Sequence, residues 1–183
     1  MHPRFDTFIS AMTHLTREAR HDEPRLLREG AQLLAELVRH DDWLDDRHAM
    51  PHPQFYQQYL LHRAPDDSFS VVSFVWGPGQ KTPIHDHTVW GLIGMLRNAE
   101  VSQAFERDER TGTLTSTEQV RLEPGTVEAV SPAIGDIHQV VNAFDDRVSI
   151  SIHVYGADIG KVRRHVFDPA TGASREFVSG YAN

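Results

Sequence analysis

Gly79-Gln80-Lys81-Thr82-Pro83-Ile84-His85-Asp86-His87, answered about fifty residues later by Gly135-Asp136-Ile137-His138 and then Asn142, is the part of this chain that decides its reading. Alternate side chains of a β-strand share a face, so His85 and His87 are expected to point one way and Asp86 the other. A third imidazole from a facing strand, His138, would complete one face of an octahedral metal ion and leave the opposite positions open to ligands. An isolated His-x-His pair is an ordinary surface feature. Here Gly79, Pro83, the later Gly-x-x-His and Asn142 accompany it, and the set together points to a metal.

These two stretches resemble the paired metal-binding motifs of the cupins. Three departures narrow the resemblance. Gly91 stands where cupins usually place a Glu ligand, Asn98 replaces the Gly that closes the first motif, and Pro132-Ala133-Ile134-Gly135 is one residue longer than usual. The runs Trp76-Gly77-Pro78-Gly79, Ile84-His85-Asp86-His87-Thr88 and Met95-Leu96 are similar to those of the cysteine dioxygenase family, which holds iron with three histidines and no acid. The resemblance extends over roughly residues 55 to 165. It implies an all-β dominated, single-domain cupin spanning 1–183, a double-stranded antiparallel β-barrel of jelly-roll type at about 50–170, preceded by N-terminal α-helices in 1–40.

Composition is compatible with that expectation. The 183 residues suffice for one domain with a substantial core, and the chain has no repeats or low-complexity tract. With no cysteine there is neither a disulfide framework nor a thiolate ligand, which suits a reducing compartment. No signal-peptide core or membrane-length apolar run is visible, so a cytoplasmic protein is expected. A formal net charge of −8 with scattered Lys and Arg argues against nucleic acid or an anionic membrane as partner. Nothing in the chain fixes an oligomeric state.

Hydrophobic period divides the chain in two. Phe8, Ile9, Met12 and Leu15, then Leu26, Leu27, Leu33, Leu34, Leu37 and Val38, recur at helical spacing, and Asp22-Glu23-Pro24 reads as a helix start between them. Both helices are expected to cover one face of the barrel. Beyond Asp46 the chain changes to short apolar runs, expected as strands at 69–76, 90–96, 101–106, 114–122, 125–130, 138–141 and 148–155. Asp108 to Gly112 and Asn142 to Asp146 fit hairpin turns. Closely spaced strands leave no room for crossover helices, which predicts antiparallel pairing.

In Ile150-Ser151-Ile152-His153-Val154-Tyr155 apolar and polar residues alternate strictly, so Ser151, His153 and Tyr155 share a face. On a surface strand this would be a solvated face. In a barrel it looks into the pocket, where the three side chains can form a hydrogen-bonded relay. A serine hydrolase is disfavoured, since there is no Gly-x-Ser-x-Gly elbow and no evident orienting acid. Thiol dioxygenases have a Ser-His-Tyr set beside the iron, and the resemblance carries that catalytic role to Tyr155, His153 and Ser151. Trp76 and Trp90 read as core or pocket-wall aromatics.

The resemblance also bears on the substrate. Cysteine dioxygenases of the mammalian type have an Arg upstream of the first metal motif, where this chain has Gln58, and a Cys crosslinked to the pocket Tyr, where it has Gly91. Both features resemble the bacterial Gln-type branch associated with 3-mercaptopropionate dioxygenases, in which an Arg after the Tyr-bearing strand holds the substrate carboxylate. Arg163 and Arg164 compete for that role, with Lys161 nearby. Family spacing favours Arg164, and only one of the two arginines can point inward from an extended segment. A guanidinium grips a carboxylate through two parallel hydrogen bonds.

Three neutral imidazoles leave Fe(II) its full double charge, which suits an anionic thiolate and lowers the thiol's pKa. The implied reaction places both atoms of O2 on sulfur to give a sulfinate, with one Fe(II) per chain and a small thiol as partner. 3-Mercaptopropionate is the favoured substrate and L-cysteine a competing one. Nitrogen ligands alone do not select iron, so a zinc, nickel or manganese cupin acting as isomerase or hydrolase stays open, as does a metabolite-binding cupin without turnover. The eight histidines His2, His14, His21, His40, His48, His52, His62 and His165 match no motif, although His62 ends the strand bearing Gln58 and could approach the pocket mouth.

Overall fold

The computed structural model describes residues 2–183. Helices α1 (Pro3–Glu18) and α2 (Glu23–Val38) form where the period predicted them. Asp22 caps α2, its side chain accepting from the Arg25 backbone N–H at 3.1 Å, with Pro24 in the first turn where a missing N–H costs nothing. Their apolar faces, including Phe5, Phe8, Met12, Leu34, Leu37 and Val38, share one core with Val71, Val75, Leu92, Ile150, Ile152 and Val154 of the sheet beneath. Gly94 sets the approach distance. A Cβ there would lie 2.8 Å from Leu34 Cγ, so any larger residue would push α2 off the sheet.

Eleven strands follow: β1 (Gln57–Arg63), β2 (Ser70–Trp76), β3 (Ile84–His85), β4 (Gly91–Arg97), β5 (Glu100–Arg107), β6 (Leu114–Leu122), β7 (Val127–Val130), β8 (Ile137–Asn142), β9 (Ser149–Tyr155), β10 (Arg164–Phe167) and β11 (Ser174–Phe177). They form a five-stranded sheet in the order β1-β2-β9-β4-β7 and a six-stranded sheet in the order β11-β10-β3-β8-β5-β6. All the pairings are antiparallel. This is the cupin double-stranded barrel with N-terminal helices. The interior lies between the two sheets, while α1 and α2 cover the outer face of the five-stranded one.

Two expectations about local geometry fail. Asn142 to Asp146 is no hairpin, because β8 belongs to the six-stranded sheet and β9 to the other. The segment instead crosses between sheets, clamped by the Asn142 amide nitrogen, which donates to the carbonyls of Trp76 (3.1 Å), Gly77 (3.1 Å) and Arg147 (2.8 Å). His62 also stays away from the pocket. A bulge between Leu60 and His62 shifts the register, so that His62 pairs with outward-facing Val71 and its ring lies 5.4 Å from Phe69. By contrast the departure at Asn98 is explained: its φ of 60° is left-handed, a conformation that Asn tolerates better than most residues other than Gly.

Candidate metal centre

His85 ends β3 and pairs across the sheet with His138 on β8, so both imidazoles enter the barrel. His87 lies past the end of β3, before Thr88 turns the chain through a φ of 59°. The three rings are mutually close, with centroids 4.8–4.9 Å apart, and one nitrogen from each falls within 4.8 Å of the others. Asp86 points away as alternation requires, accepting from the backbone N–H of His165 at 2.7 Å and bonded to its Nδ1 at 2.8 Å.

Each Nδ1 is already engaged. That of His85 is 3.1 Å from the Pro83 carbonyl, that of His138 is 3.2 Å from Ser102 Oγ, and that of His87 donates to Asp136 Oδ1 at 2.9 Å. Such outer contacts fix the tautomer and turn each Nε2 inward. His87 Nε2 is buried with no hydrogen-bond partner. Burial first, and then the charge of His87, hold both His85 and His138 well below the ordinary imidazole range, so they stay neutral and able to bind. An orphaned buried nitrogen where three imidazoles converge, with His85 and His138 held neutral, fits a metal ion with open coordination positions.

Beside this cluster lies the polar face of β9. Ser151 Oγ is 2.8 Å from His153 Nε2, and His153 Nδ1 is 2.7 Å from Tyr155 Oη. All three residues are buried, and the Tyr155 ring stacks at 5.4 Å on that of His87. Gly91 makes this possible: a Cβ there would come within 2.9 Å of the Tyr155 ring. Phe74 stacks on His153 at 4.0 Å, and Tyr56 stacks on Trp76 at 4.6 Å, which lines the pocket wall with aromatics. Trp76 also donates to Ser151 Oγ at 3.3 Å, whereas Trp90 packs in the core shared with the helices.

The three candidate cations separate cleanly. Lys161 pairs with Asp158 at 2.9 Å and Arg163 with Glu176 at 3.4 Å, both with largely exposed side chains. Arg164 is 3 % exposed, donates from Nη2 to Ser179 Oγ at 2.8 Å, lies over the Phe177 ring at 4.7 Å, and leaves Nε without a partner. Its positive charge acts inward: after burial, it is the largest influence on Tyr155 and Tyr56, opposing the upward push that burial gives both phenols. Gln58, paired with inward-facing Phe74, has a buried Oε1 without a partner. Gln58 and Tyr56 also line a cleft of about 370 Å³ with Phe177, Ser179 and Tyr181 of the C-terminal segment.

The sequence pattern that defines cysteine dioxygenase type I matches residues 32–168. The chain belongs to the cysteine dioxygenase type I family. Every residue expected at the site lies inside the family match, while β11 and the segment that supplies Ser179 and Tyr181 lie beyond it. Solved structures of similar shape include a protein with a double-stranded β-helix domain from Klebsiella pneumoniae (13 % identity, TM-score 0.49, covering 76 % of this chain and 93 % of that one). Others are a Thermus thermophilus protein, TT1209 (17 %, 0.48, 61 % and 92 %), and a cupin superfamily protein from Desulfitobacterium hafniense (14 %, 0.46, 68 % and 88 %).

Several residues that shape this cysteine dioxygenase type I site escaped the sequence reading. Asp136 sits within the quoted Gly135-Asp136-Ile137-His138 but went unassigned, although an acid beside a ligand motif is a common partner for a ligating imidazole. Ser102 and Glu100 share the inward face of β5, a polar alternation like that of β9. Ser179 had no local signal at all.

Proposed function

We propose that this protein is a non-haem Fe(II) thiol dioxygenase that converts 3-mercaptopropionate and O2 to 3-sulfinopropionate, with L-cysteine as a competing substrate. The observation that carries the reading is Arg164, a buried guanidinium with no carboxylate partner, whose charge acts on both His85 and His138. A buried cation left unpaired is costly, and a substrate carboxylate bound through two parallel hydrogen bonds would relieve that cost. Gln58, whose Oε1 also lacks a partner, is the neutral neighbour in place of a second arginine.

His85, His87 and His138 would hold one iron per chain. Iron(II) would supply the redox chemistry that lets O2 react with a thiolate sulfur. The protein's own groups do the rest. Arg164 fixes the carboxylate and so aims the sulfur toward the histidines. Phe74, Trp76 and Tyr56 keep water from the pocket, which strengthens each charged contact inside it. Tyr155 provides a hydrogen bond at the reacting end, oriented by His153 and Ser151. The reaction balances as RS⁻ plus O2 giving RSO2⁻, so the relay needs only to hold or lend a proton.

3-Mercaptopropionate and L-cysteine differ by an amino group, and no acid among the described pocket residues is free to pair with an ammonium: Asp136 is committed to His87 and Thr88. Oxygen consumption by the iron-loaded protein with 3-mercaptopropionate, L-cysteine and cysteamine, each separately, tests the reading. Fastest uptake at low concentration is expected for 3-mercaptopropionate. Preference for L-cysteine would mean that the amine is recognised elsewhere, and no uptake with any thiol would return the protein to the alternative of a cupin with another metal or without turnover.

A further inference from the structure

Between the two residues proposed to meet the substrate runs a segment that the proposed reaction does not use. Arg164 lies on β10 of the six-stranded sheet and Gln58 on β1, the edge strand of the five-stranded one. Residues 179–183 join them. Ser179 Oγ accepts from Arg164 Nη2 at 2.8 Å, and the Ala182 backbone N–H donates to the Gln58 carbonyl at 2.8 Å. Asn183 extends the attachment along the same strand: its Oδ1 accepts from the Leu60 N–H at 2.8 Å and its Nδ2 donates to the Leu60 carbonyl at 3.1 Å.

The middle of the segment is anchored to the barrel. The Tyr181 hydroxyl donates to Asp158 Oδ1 at 2.6 Å and accepts from the Gly160 N–H at 2.9 Å, while the Gly180 N–H donates to the Gly160 carbonyl at 3.0 Å. A Cβ at Gly160 would collide with the Tyr181 ring, so only glycine permits the contact. Asp158 is itself buried and paired with Arg63 at 3.3 Å and Lys161 at 2.9 Å. The Tyr181 ring packs against the cluster that contains Phe74, Trp76 and Tyr155. Each residue from Ser179 to Asn183 makes at least one of these bonds, which makes the segment a strap.

A guanidinium presents its N–H groups in a rigid fork, but the fork sits on a flexible stem, and its aim is set by what holds it. Phe177 lies against one face of Arg164 at 4.7 Å, a contact that fixes the plane and leaves rotation within it free. Ser179 removes that freedom. Nη2 has two hydrogens, of which Ser179 takes one; the second, with the Nε–H that has no partner, forms the parallel pair that a carboxylate accepts. We infer that Ser179 is the positioning residue for carboxylate recognition at Arg164, and that the strap anchored through Tyr181 holds Arg164 and Gln58 at a fixed separation. The inference deepens the proposed function and rests on it for the identity of the substrate.

The test is calorimetric titration of the iron-loaded protein with 3-mercaptopropionate and with cysteamine in the absence of O2, so that binding is read without turnover. Ser179→Ala should weaken 3-mercaptopropionate binding on the order of 5-fold, the contribution of one ordinary hydrogen bond, and lower its preference over cysteamine by the same factor. Ser179→Thr, which keeps the hydroxyl, should restore the preference. Tyr181→Phe keeps the ring but unties the strap, and should lower the preference in the same direction. In aerobic assays of Ser179→Ala, KM for 3-mercaptopropionate should rise more than kcat falls, since a grip made equally in ground and transition states acts on KM. Equal weakening toward both thiols, or a preference unchanged in Ser179→Ala, overturns the role of Ser179, and a preference unchanged in Tyr181→Phe overturns that of the strap. Wild-type binding that ignores the carboxylate overturns both. The expected binding pattern in protein that oxidises no thiol would instead sink the dioxygenase reading and leave the positioning role standing.

Discussion

Asp136 holds His87 twice, accepting its Nδ1–H at 2.9 Å and its backbone N–H at 3.0 Å. An acid thus sits one hydrogen bond behind the three-histidine cluster, although Gly91 stands where an acidic ligand would be expected. The charge of Asp136 would reach a bound metal only through the ring, without occupying a coordination position. Replacing the carboxylate by an amide keeps the shape and loses the charge. Asp136→Asn is expected to weaken metal affinity by roughly 10–100-fold, measured as iron retained against a competing chelator. Unchanged retention would mean that the pair is only structural.

Arg164 has no acid partner, so its removal should cost substrate binding more than fold. Hydrogen bonds to charged groups contribute about 1.5–3 kcal/mol, so Arg164→Ala should raise KM for carboxylated thiols on the order of 10–100-fold. Oxidation of cysteamine, which has no carboxylate, should be little affected. Arg164→Lys should fall between, since an ammonium cannot grip two oxygens in parallel. Equal losses for both classes of thiol would remove Arg164 from substrate recognition.

Tyr155 is the relay member that contacts the three-histidine cluster, stacked on His87. Tyr155→Phe retains the ring and removes the hydroxyl, and loss of one positioned donor typically costs about 10²–10³ in turnover. A fall in kcat with KM and iron content unchanged is expected. Unaltered turnover would mean that the Ser151-His153-Tyr155 set is idle.

How much of this was legible in the sequence depended on whether the signal was local. His85, His87 and His138 lie within short motifs, and the strict alternation of β9 put Ser151, His153 and Tyr155 on one face before any pairing was known. The choice of Arg164 over Arg163 needed only the two-residue period of a strand once family spacing had favoured it. Asp136 and Glu100 act on partners 49 residues away, across strands whose register the sequence does not state. The bulge that turns His62 outward is one extra residue in β1 with no Gly or Pro to mark it. Strands β10 and β11 were missed because Arg, His, Ser and Glu dominate them; pairing, not propensity, makes them strands.

Gly91 should tolerate no side chain. Gly91→Ala would bring a Cβ to 2.9 Å from the Tyr155 ring and 3.1 Å from Val130 Cγ2, both buried. Overpacking of this kind costs about 1–3 kcal/mol. Because Tyr155 is the group displaced, lower kcat should accompany the lower stability, whereas an equally destabilising substitution in the helix-covered core should leave kcat alone. Denaturant melts beside kinetics on the same preparations check the pairing.

Glu100 makes stability depend on pH with a definite sign. Its ordinary value is 4.5, and burial lifts it to about 8. Between these values the folded protein keeps a proton that the unfolded chain releases. This group's contribution is therefore complete below the lower value and is lost as pH rises toward the upper one, by at most about 1.4 kcal/mol per pH unit. Glu100→Gln should flatten the dependence, and urea denaturation at about pH 6 and about pH 8 measures it. An unchanged slope in the variant would assign the dependence to another group.

The most direct test of the central claim is to supply ¹⁸O2 to the iron-loaded protein with 3-mercaptopropionate and determine the label in the product by mass spectrometry. Thiol dioxygenation requires a sulfinate carrying two labelled oxygens, with one O2 consumed for each product molecule. Label appearing in water, or a disulfide as the product, would contradict the account.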